Sequence, residues 1–201
     1  MQLIPESTEL SNYLEETEVV NFSHPSIQNV RHQLFHGKTE LEKVEAAFHF
    51  VRDEISHSWD IQSNRITCKA SDVLQFKEGI CYAKANLLAA LLRAEGIPTG
   101  FCYQRLTIFD TPEQGYCLHT LNGVYIQPLK RWIRLDARGN KQGVQAEFSI
   151  KEEKLAFEIR EQFDEKDYPI IYTKPNEKTI TALETNMEIR QLYTNHLPDA
   201  L

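Results

Sequence analysis

The chain has 201 residues, 41% of them hydrophobic and 25% charged, with a formal net charge of −7 and an isoelectric point near 5.5. That length suits one α+β domain with a sizeable core, and an acidic balance without a basic cluster argues against nucleic acid or an anionic membrane surface as partner. The opening MQLIPESTELSNYLEETEVV has no basic stretch followed by an apolar one, and no segment approaches the roughly 18 apolar residues that span a bilayer, so a cytoplasmic protein with reduced thiols is expected, its oligomeric state unspecified.

From Ser7 to Phe22 the chain is acidic and weakly periodic, and His24-Pro25 breaks it before a helical segment around Ile27 to Phe35. Residues 1–38 are therefore read as an N-terminal helical extension. Leu41, Val44, Ala47, Phe48, Val51 and Ile55 then recur at helical spacing, with Thr39 as N-cap and Glu42 three residues on. The following SHSWDIQSNRITCKASDVLQF is an irregular connection with one short helix near Ser71 to Phe76. Gly79 precedes an Ala/Leu-rich run that Gly96 and Pro98 close; Leu87, Leu88, Leu91 and Leu92 mark it as a buried central helix.

After Gly100 the chain turns aromatic and β-branched, and FCYQRLTIF, GYCLHTLNGVYI and RWIRLDA read as three antiparallel strands. Asn122-Gly123 offers a tight turn, but a turn at Gln127 to Arg131 pairs the flanking strands better. KLAFEIR reads as a further strand, Glu161 to Asp167 as a solvated acidic surface, Tyr168 to Pro175 as a polar connection and Thr179 to Tyr193 as a helix. The organisation expected is a single domain over 1–201, its core at about 41–139 and a C-terminal extension over 140–201.

Cys68, Cys81, Cys102 and Cys117 lack the paired spacing of zinc or redox sites, and His49 with His57 has no supporting ligand, so no metal is expected. Cys68 and Cys102 are read as structural. Cys81 is different, because it falls in the first turn of the central helix, where free N–H groups and the helix dipole favour an anion. A thiol normally titrates near 8.5; such a position beside an imidazolium lowers that by several units, and the same N–H can hold an oxyanion. A nucleophilic thiol needs a base, and the base an orienting group. His119 lies on the second strand and Asp136 ends the third, and strands paired about Gln127-Pro128 put the two opposite each other on one face. Gly79 would let the backbone turn and leave room for a substrate carbonyl. Cys117, two residues before His119, shares its face, and Trp59, Gln62 or Gln75 would supply a second oxyanion donor.

Gly79-Ile80-Cys81 followed by Ala83, the leucine pairs and Glu95-Gly96-Ile97-Pro98 resembles the nucleophile helix of the transglutaminase-like superfamily. His119 at the head of a strand, and Trp132-Ile133-Arg134-Leu135-Asp136 with a Trp four residues before the Asp, are similar to that family's later motifs, and Ala46 to Ile55 resembles its preceding helix. The resemblance covers about Leu41 to Gly139. Thr120-Leu121 follow His119 where the family usually has Ala-Trp, and Ala137-Arg138-Gly139 follow Asp136 where Pro or Ala then Thr is frequent; the triad is untouched and the substrate groove altered. The resemblance implies an α+β papain-like fold, an N-terminal helical layer with a central nucleophile helix on an antiparallel sheet. It also implies a Cys81–His119–Asp136 triad that cleaves or transfers an amide or acyl group of a peptide, protein or small amide without a cofactor. A catalytically silent peptide-binding module and an arylamine-type N-acyltransferase are the alternatives.

Overall fold

The computed structural model describes the backbone of residues 1–201 and every side chain except that of Asn195. The N-terminal stretch is less helical than expected: β1 (Ile4–Pro5) and a single 3-10 turn (Leu10–Tyr13) precede α1 (Pro25–Phe35). Its acidic residues carry no apolar stripe, and isolated anchors fasten it instead. Tyr13 is fully buried, its hydroxyl donating to the Ile171 carbonyl (3.1 Å).

Helix α2 (Glu40–Glu54) begins at the expected capping box, with the Thr39 N–H donating to Glu42 Oε2 (2.8 Å), and it buries Val44, Ala47, Phe48 and Val51 on one face. The chain leaves it through β2 (Ser56–His57), runs irregularly to α3 (Ala70–Phe76) and returns in β3 (Glu78–Gly79), which pairs parallel to β2 with His57 opposite Gly79. Next comes α4 (Cys81–Arg93), all of whose residues are buried. Its one buried ammonium, Lys84, donates to the Ile55 (2.5 Å) and Arg52 (3.4 Å) carbonyls, so a side chain of α4 caps the end of α2. Burial pulls Lys84 down to about 7, and the nearby Arg138 cation adds to the effect.

Strands β4 (Thr99–Thr107), β5 (Tyr116–Ile126), β6 (Arg131–Leu135) and β7 (Lys166–Asp167) form an antiparallel sheet in the order β6-β5-β4-β7. Asn122 and Gly123 lie within β5, and a one-turn 3-10 element (Gln127–Leu129), closed by Lys130 in the left-handed region, makes the β5–β6 connection. Asn122 faces Leu135 and Val124 faces Ile133, a register two residues from the expected one. Side chains alternate with a period of two, so the slip keeps His119 and Asp136 on one face while making them diagonal neighbours.

KLAFEIR is not a strand. The outer edge of β4 is occupied by β7 and by an isolated bridge between Phe101 and Tyr172, and residues 154–160 form no ladder with the outer edge of β6, the Ala156 N–H donating to Asp136 Oδ2 instead. After β8 (Ile170–Ile171), which pairs with β1, the expected C-terminal helix divides into α5 (Glu177–Thr185), α6 (Ile189–Gln191) and a π-helical turn (Leu192–His196). Asn186 causes the break: its backbone is extended and its side-chain amide donates to the Ala182 carbonyl (2.8 Å). The acidic 161–167 stretch is not wholly solvated either, since Glu165 is buried against Arg160 and Thr107. Among the described residues no helix is long and apolar enough to cross a membrane.

Gly100 lies where β8 and Tyr13 press on the sheet. A Cβ there would come within 2.6 Å of both Ile171 Cγ2 and the Tyr172 carbonyl oxygen, and that oxygen is pinned by the bridge to Phe101. Gly100→Ala should destabilise the fold by about 2 kcal/mol, as overpacking commonly does, read as a lower midpoint in chemical denaturation; an unchanged midpoint would contradict this packing.

Candidate active site

Cys81 is the first residue of α4, placed there by an extended Ile80 and by Tyr82, whose buried hydroxyl donates to the Leu118 carbonyl on β5 (2.8 Å). This bond ties the helix start to the strand that carries His119. Cys81, Cys117 and His119 all line one cavity of about 570 Å³ between α4 and the sheet.

His119 is buried, and its Nε2 lies 2.8 Å from Asp136 Oδ2. Using Nε2 for the carboxylate leaves Nδ1 for the sulfur. Burial alone would drive the imidazole towards neutrality, but the Asp136 carboxylate and the Cys81 sulfur outweigh it and raise His119 to about 10. Asp136 sits one residue beyond β6 and is more deeply buried. Burial would raise its carboxyl, yet His119 and two backbone donors hold it below the ordinary carboxylate range. Those donors are the N–H groups of Ala156 on Oδ2 (3.1 Å) and Arg138 on Oδ1 (3.2 Å). Every oxygen of the buried carboxylate therefore has a partner.

The other sequence candidates divide. Cys117 and Trp59 line the cavity; burial pushes the Cys117 thiol up to about 12, and Trp59 is half-buried, stacked on Tyr193 at 4.2 Å. Gln62 does not reach the cavity. It is exposed, held in the left-handed region (φ 55°), and its amide donates back to the Trp59 carbonyl (2.7 Å). Gln75 is exposed on α3 and faces a separate surface groove beside His24 and Lys77. Gly79 lies in β3 behind Cys81, where a Cβ would meet Thr67 Oγ1 at 3.0 Å and Ala83 Cβ at 3.2 Å. Its small size serves the packing of α4 against the preceding loop, with no opening to substrate.

Several cavity residues carried no sequence signal. Ala156 contributes only a backbone N–H, and Phe157 sets its ring edge-on to His119 (5.1 Å, 84°); both come from the stretch expected to be a strand. Arg138 grips Asp60 with two bonds (2.5 and 2.9 Å), and Lys141 adds a third (2.8 Å). Burial works against the Asp60 charge, but these cations hold its carboxyl at about 2. His57, 3.8 Å from the same carboxylate, is pushed well below its ordinary value by burial, reinforced by Arg138. Among the described residues no group of three or more His, Cys, Asp or Glu side chains is arranged to hold a metal ion.

A protein-family model described as the transglutaminase-like superfamily matches residues 28–137. Among solved structures, the chain resembles a proposed cysteine protease from Cytophaga hutchinsonii with 19% identity and a TM-score of 0.51, over 66% of this chain and 43% of that one. A proposed protease from Parabacteroides distasonis matches with 15% identity and a TM-score of 0.42, over 68% of this chain and 26% of that one. The chain thus spans less than half the length of either protein, and at such identity the first likeness speaks to the fold alone: an α+β papain-like arrangement of helices on an antiparallel sheet. No curated protein matches the chain.

The His119–Asp136 pair links stability to pH. Folded His119 titrates at about 10 against roughly 6.5 when unfolded, so its contribution is complete below about pH 6.5 and fades as pH rises towards 10. Lys84, lowered to about 7, pulls the opposite way over the same window, so the comparison with His119→Gln isolates the histidine. Denaturant unfolding should show the advantage of wild type over His119→Gln shrinking between about pH 6.5 and about pH 10; a difference that stays constant with pH would refute the charged pair.

Proposed function

The chain belongs to the transglutaminase-like superfamily, and from that premise we propose that it is a cysteine-dependent enzyme that cleaves or transfers an amide or related acyl group through a thioester on Cys81. The reading is carried by one observation: a buried imidazole bonded at 2.8 Å to a buried carboxylate, in the cavity that the Cys81 helix opens into. A buried ionic hydrogen bond stores little net stability against an apolar replacement, so its retention in a cavity wall argues for chemical use.

In the proposed reaction His119 enters as the imidazolium that its raised pKa gives at neutral pH, and the Cys81 thiolate attacks the carbonyl carbon. The tetrahedral oxyanion sits at the start of α4, where the Cys81 N–H and the helix dipole oppose its charge. Its collapse breaks the carbon–nitrogen bond, and His119 delivers the proton to the departing amine. Water or a second amine then attacks the thioester, giving up a proton to His119, and Cys81 leaves. Asp136 keeps Nε2 protonated and the ring oriented throughout, so Nδ1 performs both transfers. The substrate class proposed is a peptide, protein or small amide.

Burial pushes Cys68, Cys102 and Cys117 each up to about 12, so at neutral pH they should be poor nucleophiles. Iodoacetamide should accordingly alkylate Cys81 first, by peptide mapping. p-Nitrophenyl acetate should give a burst of nitrophenol together with an acetyl group on Cys81. His119→Ala should slow that acylation by about 10²- to 10⁴-fold, the usual contribution of a positioned base. Alkylation of Cys81 no faster than Cys117, without a burst, would sink the enzymatic reading.

A further inference from the structure

Resting on the proposed thioester chemistry, we infer that the cavity beside Cys81 carries a preformed subsite for an aromatic side chain of the acyl donor, built by Trp59, Tyr193 and Phe109. All three line the cavity that holds Cys81 and His119. Trp59 stacks nearly parallel on Tyr193 (4.2 Å, 19°) and meets Phe109 at 5.6 Å and 38°. The three rings come from the loop after β2, the β4–β5 connection and the π-helical turn near the C-terminus. No two are close in sequence, so local chain geometry does not explain their meeting.

Trp59 and Tyr193 pack against the main core, but packing does not explain the third ring. Phe109 is 56% exposed and lies outside both buried clusters. Its backbone is held in a conformation that side chains disfavour: Phe109 has φ 51° and the next residue, Asp110, has φ 63°. Two successive non-glycine residues in the left-handed region persist only where the surroundings impose them. Here the loop is closed by the Ile108 N–H on the Gly115 carbonyl (3.0 Å) and anchored by the Arg160–Asp110 ion pair (3.1 Å). The result is an apolar ring kept at the cavity mouth against Trp59, where it gains little from burial. Tyr193 is likewise presented by a π-helical turn, a local irregularity that recurs at functional sites.

The chemistry of the wall selects its occupant. Ring faces and edges offer offset-stacked and edge-on contacts to another ring, and Leu106 and Ile108 extend the apolar surface. The charged groups beside the rings are engaged within the protein: Asp110 and Glu165 share Arg160, and Arg138 and Lys141 are held by Asp60.

The test uses three irreversible probes, acetyl-Ala-Ala, acetyl-Phe-Ala and acetyl-Ala-Phe chloromethyl ketones, each of which alkylates a thiol with loss of chloride. Two aromatic probes are needed because the ring's distance from the reacting carbon is free in the proposal. One of them should modify Cys81 at least about ten-fold faster than the alanine probe, by peptide mapping, the scale expected of a filled apolar pocket. Phe109→Ala should reduce that ratio to below about three-fold and Phe109→Leu to an intermediate value, with a thermal melt reporting that each variant is folded. Equal rates for all three probes, with Cys81 still modified ahead of Cys117, would overturn the aromatic subsite alone. A preference that survives in Phe109→Ala would overturn its assignment to these residues. Failure of every probe to favour Cys81 over Cys117 would instead overturn the thioester reading on which the subsite rests.

Discussion

Two ionisable side chains, His119 and Asp136, share a 2.8 Å hydrogen bond where almost no water reaches, and neither would be tolerated there without the other. Removing one partner from such a pair commonly costs about 3–5 kcal/mol, because the survivor is left as an uncompensated buried charge. The constraint spreads outward. Asp136 has lone pairs beyond the one His119 uses, and the backbone N–H groups of Arg138 and Ala156 take them. The irregular segment containing Ala156 and Phe157 is thereby fastened over the site, and Phe157 lays its ring edge against the imidazole. The carboxylate that orients the histidine also secures the segment that keeps solvent from it.

The other half of the site depends on how α4 is seated. A helix whose residues are all buried cannot be steered by solvent preference, and specific polar contacts fix its rotation and height instead. Tyr82 bonds to the Leu118 carbonyl, and the Asn122 amide donates to both the Ala85 (3.2 Å) and Gly100 (3.1 Å) carbonyls, so two contacts key the helix to the β4–β5 pair. On the opposite side Lys84 caps the end of α2. These bonds are intolerant of sliding, since each satisfies a buried group that would otherwise be left bare. Cys81 is consequently carried on a rigid element, the kind of support that a site requiring sub-ångström placement needs.

Much of this was legible in the amino-acid order, and the failures share a physical cause. The Thr39–Glu42 capping box and the apolar stripe from Val44 to Val51 are local signals that tertiary structure had no reason to override. The triad candidates rest on positional rules for a helix start, a strand and a strand end. The β5–β6 register was misjudged by two residues, and the error was harmless to the face only because it was even. By contrast, Gln62 and Gln75 were weighed on their distance from Cys81 along the chain, and in an irregular connection that distance does not convert into distance in space. KLAFEIR has strand-like residues, but the Ala156 N–H that a ladder would use is taken by the Asp136 carboxylate. Ala156 acts through a backbone N–H that any residue but proline possesses, so no residue type could have marked it.

The limits of the family match divide the site in a way that bears on specificity. Cys81, His119 and Asp136 lie within residues 28–137, whereas Arg138, Ala156, Phe157, Tyr193 and Leu197 lie beyond and yet line the same cavity. The groups proposed to make and break bonds thus belong to the shared core, while much of the wall that a substrate would meet comes from the chain that follows. Arg138 stands at the join: its N–H bonds Asp136, and its guanidinium grips Asp60 in the loop after β2. On the proposed chemistry, a substitution in the later segment that left the His119–Asp136 bond intact would change which acyl group fits, whereas one that freed the Ala156 N–H from Asp136 would disturb the reacting groups. The boundary between selecting and reacting therefore runs along the hydrogen bonds to one carboxylate.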